Sequence, residues 1–373
     1  MGVARLRQRG RHTGPVLSRR ELLRRGAQLG AGAVLASGAA FGPTPAFSAP
    51  AAGGKVIVRD PGGAYSEALR KAIFEPFTAE TGIQVVPFST NAAKIMAMVE
   101  AKSVELDVLD IGEFPCILLE RRGALEKLDR SKFTRTNLAD MTAVRDFYIG
   151  ENTYATVLGY NKAVLSGAHP TSWAEFWDVK RFAVGRMLED MAAEYPNLEF
   201  ALLADGVPMN KLYPLDVDRA FKKLREIRPR ITKWWDSGAV SAQMLADKQV
   251  VMGSIWNGRI QTLIDAGAPL AIEWNQASLQ LQVVGVLKGA PNLENAYRYL
   301  DFALQPKPQA EFARIIGYGP VNRKAFQYVD AKTAARLPTS PEHLRTSFAT
   351  DTRWWVENAA KISERWQSFV LGG

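Results

Sequence analysis

The chain is poor in the residues on which many enzymes and metalloproteins depend. Its 373 residues include one cysteine, Cys116, and three histidines. A single cysteine excludes an internal disulfide, and its apolar neighbours Phe114 and Leu118 predict a buried thiol rather than a nucleophile. The histidines are too far apart in the sequence to form a His-x-x-x-His or Cys/His metal group. We therefore expect neither a metal nor a cofactor.

Motifs of nucleophilic catalysis and of phosphate binding are also missing. Gly253-Ser254-Ile255-Trp256 lacks the second glycine of a nucleophile elbow. Gly62-Gly63 is not followed by the lysine of a phosphate-binding loop. A secreted enzyme is therefore the weaker alternative, and we expect no catalytic residues.

Basic residues outnumber acidic ones by 47 to 38, which gives a formal charge of +9. The excess is concentrated in residues 1–51, which hold eight arginines and one glutamate. The rest of the chain has 39 basic and 37 acidic residues and is nearly neutral. The basicity therefore does not indicate a nucleic-acid partner, since that requires a basic surface on the folded protein.

The amino terminus has the parts of an export signal. Ser18-Arg19-Arg20-Glu21-Leu22 precedes an uncharged, small-residue segment from Gly26 to Phe41, an order typical of twin-arginine signals. The segment is shorter and less apolar than the roughly 20 residues that span a bilayer. We predict that residues 1–51 are a signal peptide, cleaved after Ser48 or after Ala51, and that the mature protein is periplasmic.

The mature chain alternates strand-like and helix-like segments, which predicts an α/β fold. Val56-Ile57-Val58, for example, ends at a glycine turn and precedes helical periodicity from Tyr65 to Phe77. About 320 residues exceed the usual size of a single core, so we expect two lobes. The predicted lobes comprise residues 52–155 with 286–340, and residues 156–285 with 341–373.

Six short motifs follow one another along the mature chain in an order shared with a known family. They are Gly62-Gly63-Ala64-Tyr65, Glu75–Ile83, Leu106–Asp110, Trp173–Trp177, Ile255–Gly258 and Ile316–Asn322. Together they resemble the spermidine/putrescine-binding group of solute-binding proteins from bacterial ABC importers. The resemblance implies a type II periplasmic binding protein fold, in which two α/β lobes joined by a hinge close on one small solute. It also implies delivery of that solute to an inner-membrane permease, and we expect a monomer.

The resemblance implies that the ligand is contacted by turns that follow the strands. Carried over by position, these contacts are Gly63, Tyr65, Gly112, Glu113, Phe114, Trp256 and Tyr318. Trp256 and Trp274 both follow predicted strand ends, where an aromatic ring can enclose an alkyl chain or attract an ammonium. We therefore predict that the ligand stacks on these two tryptophans.

The sequence departs from that of polyamine binders after Trp274. Those binders resemble one another in placing an aspartate against the ligand's ammonium, whereas this chain has Gln280 and Gln282. A replacement acid is available in the segment that contains Glu189, Asp190 and Glu194, unless these acids form an exposed helix start. A neutral amide gives roughly half the hydrogen-bond energy of a carboxylate to an ammonium, so the identity of the anchor matters.

Arginines near the turns leave a second class of ligand open. Arg59, Arg186 and Arg259 are available to bind a carboxylate in a bidentate manner. We expect a putrescine- or spermidine-like amine, with a zwitterionic ω-amino acid such as γ-aminobutyrate, or an aminophosphonate, as the alternative. Ferric ion is less favoured, because the sequence shows no obvious paired tyrosines.

Overall fold

Ten strands form one mixed sheet in the computed structural model, which describes residues 53–372. The predicted signal peptide, residues 1–51, lies outside the described residues. The strands are β1 (Lys55–Arg59), β2 (Gln84–Phe88), β3 (Val108–Gly112), β4 (Tyr148–Asn161), β5 (Arg186–Glu189), β6 (Ile231–Trp235), β7 (Met252–Trp256), β8 (Leu270–Val286), β9 (Gly319–Pro320) and β10 (Phe348–Ala349).

Helices cover the sheet and connect its strands, as the alternating sequence pattern predicts. They are α1 (Gly63–Leu69), α2 (Glu75–Thr81), α3 (Ala92–Glu100), α4 (Glu113–Arg121), α5 (Trp173–Trp177), α6 (Leu198–Ala204), α7 (Val217–Ile227), α8 (Gly238–Ala246), α9 (Asn257–Asp265), α10 (Leu293–Ala303), α11 (Pro306–Ile316), α12 (Ala331–Arg336), α13 (Pro341–Thr346) and α14 (Thr352–Leu371). A π-helical turn, Arg70–Phe74, joins α1 to α2. Short 3-10 helices occur at Arg130–Lys132, Leu138–Asp140, Met209–Lys211, Arg228–Arg230 and Arg323–Tyr328.

The sheet has a parallel group of strands at each end and two long antiparallel strands between them. The order is β2-β1-β3-β8-β4-β7-β5-β6, with β9 beside β4 and β10 beside β8. Strand β1 is parallel to β2 and β3, and β5 is parallel to β6 and β7. Strands β4 and β8 pair from Tyr148 opposite Gly285 to Asn161 opposite Leu270, so both run through the middle of the sheet. The predicted lobe boundaries fall within β4, at the end of β8 and at the start of α13, and the division into lobes at these residues stays a prediction.

A bulge interrupts strand β8 and changes where its side chains point. Leu158 pairs with Glu273 and Thr156 with Ser278, so four residues of β8 have no partner across the pair. The bulge contains Trp274 and also Gln276, whose φ is 64°. Side chains on either side of a bulge are redirected relative to a regular strand.

Apolar side chains pack on the helices at both ends of the sheet. One cluster includes Phe77, Tyr299 and Phe312, and another includes Trp173 and Trp355. Cys116 is buried in a third cluster, which confirms the prediction from its apolar neighbours. Among residues 53–372, no helix is long and apolar enough to cross a membrane. The mixed sheet and the helices that connect its strands confirm the predicted α/β fold.

Candidate functional site

A cavity of about 550 Å³ lies beyond the carboxyl ends of three strands. Arg59, Gly112 and Trp256 are the last residues of β1, β3 and β7, and all three line it. Ligand sites of open α/β sheets occur at such edges, because turns and helix amino termini converge there. The local pattern of strand, turn and helix thus brings distant parts of the chain to one cavity.

The turn between β1 and α1 depends on two glycines. Gly62 and Gly63 have φ angles of 81° and 64°, which side chains with a Cβ rarely adopt. The turn presents the Gly62 carbonyl, which accepts a hydrogen bond of 2.7 Å from Arg259 Nη1. A Cβ on Gly63 would lie 3.1 Å from the same nitrogen. Gly63, a predicted ligand residue, therefore leaves room for the Arg259 guanidinium because it has no Cβ. It does not itself line the cavity.

Four aromatic rings form a continuous wall of the cavity. The Tyr154 ring centroid is 5.7 Å from that of Tyr318 and 5.8 Å from that of Trp256, and the Tyr65 and Tyr318 centroids are 6.0 Å apart. All four residues line the cavity. Their faces can contact a methylene chain and attract an ammonium.

Glu194 is a buried acid that faces the cavity, and 6% of its surface is exposed. Its Oε2 accepts a hydrogen bond from the Tyr154 hydroxyl. Desolvation by burial raises the pKa of Glu194 to about 8, although the Tyr154 hydrogen bond and the nearby Arg59 lower it. A Cβ on Gly112 would lie 2.0 Å from Glu194 Oε1, so the glycine at the end of β3 makes room for this carboxyl group.

Two arginines bring positive charge to the same cavity. The Arg59 Nε donates to the Thr90 carbonyl at 3.0 Å, and its Nη1 donates to the Asp110 carbonyl. Burial lowers the pKa of Arg59. The Arg259 guanidinium lies 5.6 Å from the Tyr65 ring centroid, and 3% of this arginine is exposed. The cavity thus combines two guanidinium groups that are largely removed from solvent with one facing carboxyl group.

Three buried polar atoms on cavity-lining residues have no hydrogen-bond partner in the described part of the chain. They are the acceptor Glu194 Oε1 and the donors Trp256 Nε1 and Arg259 Nε. An unpaired buried polar group costs about 1–3 kcal/mol, and more if charged. A ligand that offers both a donor and an acceptor would satisfy these atoms.

A second acidic group lies behind the aromatic wall. The Tyr65 hydroxyl is 2.8 Å from Glu151 Oε2 and 3.1 Å from Asp110 Oδ1, and the amide of the cavity residue Gln282 donates to the same Asp110 oxygen at 2.5 Å. Burial raises the pKa of Asp110 to about 6 and the pKa of Glu151 well above its usual value. The proximity of the two carboxyl groups raises the pKa of Glu151 further, so one proton is readily held here.

The structure brings half of the predicted site residues to the cavity. Those that line it are Tyr65, Phe114, Trp256, Arg259, Gln282 and Tyr318. Gly112, which the resemblance implied, also lines it. Their contact with a ligand stays a prediction.

Two predicted acids are held elsewhere by their own hydrogen bonds. Glu189, at the end of β5, accepts from the Tyr195 backbone amide at 3.3 Å and from the Asn197 side chain at 3.4 Å. Asp190 accepts from Trp366 Nε1 at 3.2 Å. Of the acids in this segment, Glu194 rather than Glu189 or Asp190 lines the cavity.

The bulge and the pairing of the long strands keep two other predicted residues, Trp274 and Gln280, from the cavity. Trp274 stacks on His343, with ring centroids 3.7 Å apart. Gln280 accepts a hydrogen bond of 3.0 Å from Thr156 Oγ1, across the β4–β8 pair. Glu113 is also not a lining residue; its Oε1 accepts a hydrogen bond of 3.1 Å from the Tyr148 hydroxyl.

Sequence reasoning missed some cavity residues and left others open. Tyr154 lies in a strand-like run in which no local pattern marks a ligand-facing side chain. Arg59 and Glu194 were open possibilities, and both line the cavity. Arg186, the third possible arginine, is fully buried and donates to the Phe176 carbonyl instead.

The family model described as bacterial extracellular solute-binding protein matches residues 72–339. The chain belongs to this family. The γ-aminobutyric acid-binding protein of Pseudomonas aeruginosa is 35% identical over 317 residues, which are 83% of this chain and 89% of that protein. The spermidine/putrescine-binding periplasmic protein of Salmonella typhimurium is 24% identical over 281 residues, 72% of this chain and 79% of that protein.

A solved structure has the same fold over nearly its whole length. The ABC transporter substrate-binding protein from Bradyrhizobium japonicum is 39% identical, with a TM-score of 0.77, and the match covers 85% of this chain and 99% of that one. The solute-binding protein described here is thus an ABC transporter substrate-binding protein, of the type that delivers small molecules to a membrane permease. The matched family is one of extracellular solute-binding proteins, and the relative from Salmonella typhimurium is a periplasmic protein. The predicted resemblance to spermidine/putrescine-binding proteins is confirmed at the level of the family.

Proposed function

We propose that this solute-binding protein captures a zwitterionic ω-amino acid, γ-aminobutyrate or a close analogue, in the periplasm after twin-arginine export. The observation that carries the proposal is the chemistry of the three unpartnered cavity atoms. Glu194 Oε1 is an acceptor, whereas Trp256 Nε1 and Arg259 Nε are donors. An ammonium at one end of the ligand and a carboxylate at the other complement this set.

The ammonium is proposed to bind Glu194. A charge-assisted hydrogen bond to a carboxylate is worth about 1.5–3 kcal/mol. The neighbouring Tyr154, whose hydroxyl already binds Oε2, also lines the cavity beside this carboxyl group. The aromatic wall then covers the methylene chain of the ligand.

The carboxylate is proposed to bind Arg259 and Trp256. A Cβ placed on Gly238 would lie 2.7 Å from Arg259 Nε and 2.6 Å from Trp256 Cε3, so the Arg259 guanidinium lies beside the six-membered ring of the Trp256 indole. The guanidinium is fixed by its bond to the Gly62 carbonyl, which lowers the entropy lost on binding. An aminophosphonate offers the same pair of charges and is a related candidate.

Relatives support the amino acid over the polyamine. The γ-aminobutyric acid-binding relative is 35% identical, whereas the spermidine/putrescine-binding relative is 24% identical. A diamine would also place its second ammonium near a guanidinium. Putrescine stays the second candidate because the buried pair Asp110 and Glu151 adds negative charge behind Gln282.

The ligand is proposed to bridge the two ends of the sheet. Tyr65 of the aromatic wall follows β1, whereas Glu194 follows β5, and four strands separate β1 from β5 in the sheet order. A ligand that contacts both sides binds the closed arrangement of the proposed lobes more tightly than the open one. The ratio of these two affinities sets how far the ligand shifts the protein towards the closed arrangement. The closed form would then be recognised by the permease.

Calorimetric titration at pH 8.5 with γ-aminobutyrate and with putrescine tests the proposal. We expect γ-aminobutyrate to bind more tightly, and Glu194→Gln to weaken it about 10- to 100-fold. The matched control is Glu113→Gln, which changes a nearby acid that does not line the cavity. Tighter binding of putrescine, or an equal effect of both substitutions, would contradict the proposed ligand class.

A further inference from the structure

The cavity is much larger than the ligand that its polar groups hold. At about 30 Å³ for each water in the liquid, a volume of 550 Å³ corresponds to about 18 water molecules. γ-Aminobutyrate has about seven non-hydrogen atoms, each comparable in size to a water oxygen. More than half of the cavity therefore remains once the ammonium and the carboxylate are bound.

The remaining part of the cavity has an apolar lining. Met96 of α3, Leu118 of α4 and Met191 from the segment after β5 face it, together with Ala359 and Ala360 of α14. Met96 is buried, Leu118, Met191 and Ala359 are half-buried, and Ala360 is exposed at the edge, so an apolar group placed here would remove these side chains further from water. We call these five residues the apolar extension of the cavity.

The space beside α14 is fixed by the packing of that helix. Trp355 is fully buried, and its ring centroid is 5.2 Å from that of Tyr195. Ile362 and Trp366 are also buried in the same cluster. Because large side chains hold α14 in place, its small residues at positions 359 and 360 leave room that the helix cannot close by moving inward.

Of the polar residues that line the same space, Ser363 of α14 is half-buried and two others are at its exposed side. Asn91 and Arg122 are both exposed. Deep in the cavity, the polar groups are those already assigned to the ammonium and the carboxylate, together with Arg59 and Gln282, which already donate hydrogen bonds to other protein groups. A sugar or a second charged group would therefore find few buried partners in the apolar extension, whereas an alkyl or aryl group needs none.

We propose that the apolar extension binds an alkyl or aryl substituent, so that the solute of this protein is an ω-amino acid larger than γ-aminobutyrate. This inference rests on the proposed function, because the ammonium and carboxylate anchors orient the substituent. Glu194 and Arg259 then select the amino acid, and the apolar extension selects its side group.

The test compares γ-aminobutyrate with 4-amino-3-phenylbutyrate, which adds one phenyl group to the same anchors. Full burial of a phenyl group is expected to strengthen binding about 10- to 100-fold in calorimetric titration. Ala360→Phe fills the apolar extension and should remove this advantage, while affinity for γ-aminobutyrate stays within about threefold. The matched control Ser368→Phe adds the same group to an exposed position of α14 that does not line the cavity.

The outcomes separate this inference from the proposed function. If γ-aminobutyrate binds and the phenyl analogue binds no more tightly, the apolar extension takes no side group and the proposed function stands. If neither compound binds, the proposed function and this inference both fail. Should Ala360→Phe not fold, Leu118→Ala provides the second variant, and it should weaken the phenyl analogue alone.

Discussion

Binding of an ammonium to Glu194 should release a proton near neutral pH. Burial raises the pKa of this carboxyl group to about 8 in the ligand-free protein. The neutral form therefore predominates at pH 7, but only the anion makes a charge-assisted hydrogen bond to an ammonium. A primary amine with a pKa near that of lysine, about 10.4, stays charged up to pH 9.

The size of the effect follows from the fraction of Glu194 that is ionised before binding. With a pKa of about 8, that fraction is about one tenth at pH 7, one half at pH 8 and nine tenths at pH 9. Apparent affinity should therefore rise about tenfold from pH 7 to pH 9, with release of about 0.9 proton per ligand at pH 7. Asp110, whose pKa burial raises to about 6, titrates mostly below this window.

Calorimetric titration of γ-aminobutyrate in two buffers of different ionisation enthalpy measures both quantities. The Glu194→Gln variant should bind weakly and with no slope between pH 7 and pH 9, since the titrating group is gone. An affinity that does not change with pH, or the uptake of a proton on binding, would refute the assignment of the ammonium to Glu194. A slope that persists in Glu194→Gln would assign the titration to another group.

Two further substitutions test the structure, one at the site and one in a part of the fold that does not line the cavity. Gly112→Ala places a Cβ 2.0 Å from Glu194 Oε1 and should weaken γ-aminobutyrate at least about tenfold in the same titration, whereas Gly167→Ala enters open space and should not. Asp301→Ala removes the carboxylate that binds three backbone amides of residues 134–136 and should lower the free energy of unfolding by about 3 kcal/mol in urea denaturation. Equal affinities of the two glycine variants, or an unchanged urea midpoint for Asp301→Ala, would contradict the respective argument.

Local patterns were sufficient to predict the elements that carry much of the site. The apolar run at Val56–Val58 followed by glycines indicates a strand and a tight turn, and the structure has β1 and α1 there. Trp256 follows an apolar run in the same way and ends β7. Because side-chain periodicity and glycine conformations depend on only a few neighbouring residues, they can be recognised in a single sequence.

Which of several similar side chains faces the cavity could not be predicted from local patterns. Glu189, Asp190 and Glu194 lie within six positions, and only the loop after β5 determines that Glu194 faces the cavity. Trp274 was predicted to stack on the ligand, but the bulge in β8 turns it onto His343. Loop conformation and bulges depend on contacts with residues far away in the sequence.

The sequence by itself determined the α/β class and the family, because strand and helix periods and short motifs are local properties of the chain. Only the tertiary structure decided which charges share one cavity. Arg59, Glu194 and Arg259 come from segments about 65 to 200 residues apart, and the sheet order brings them together. The sequence contains all three residues, but their proximity is a property of the packed sheet and of nothing shorter.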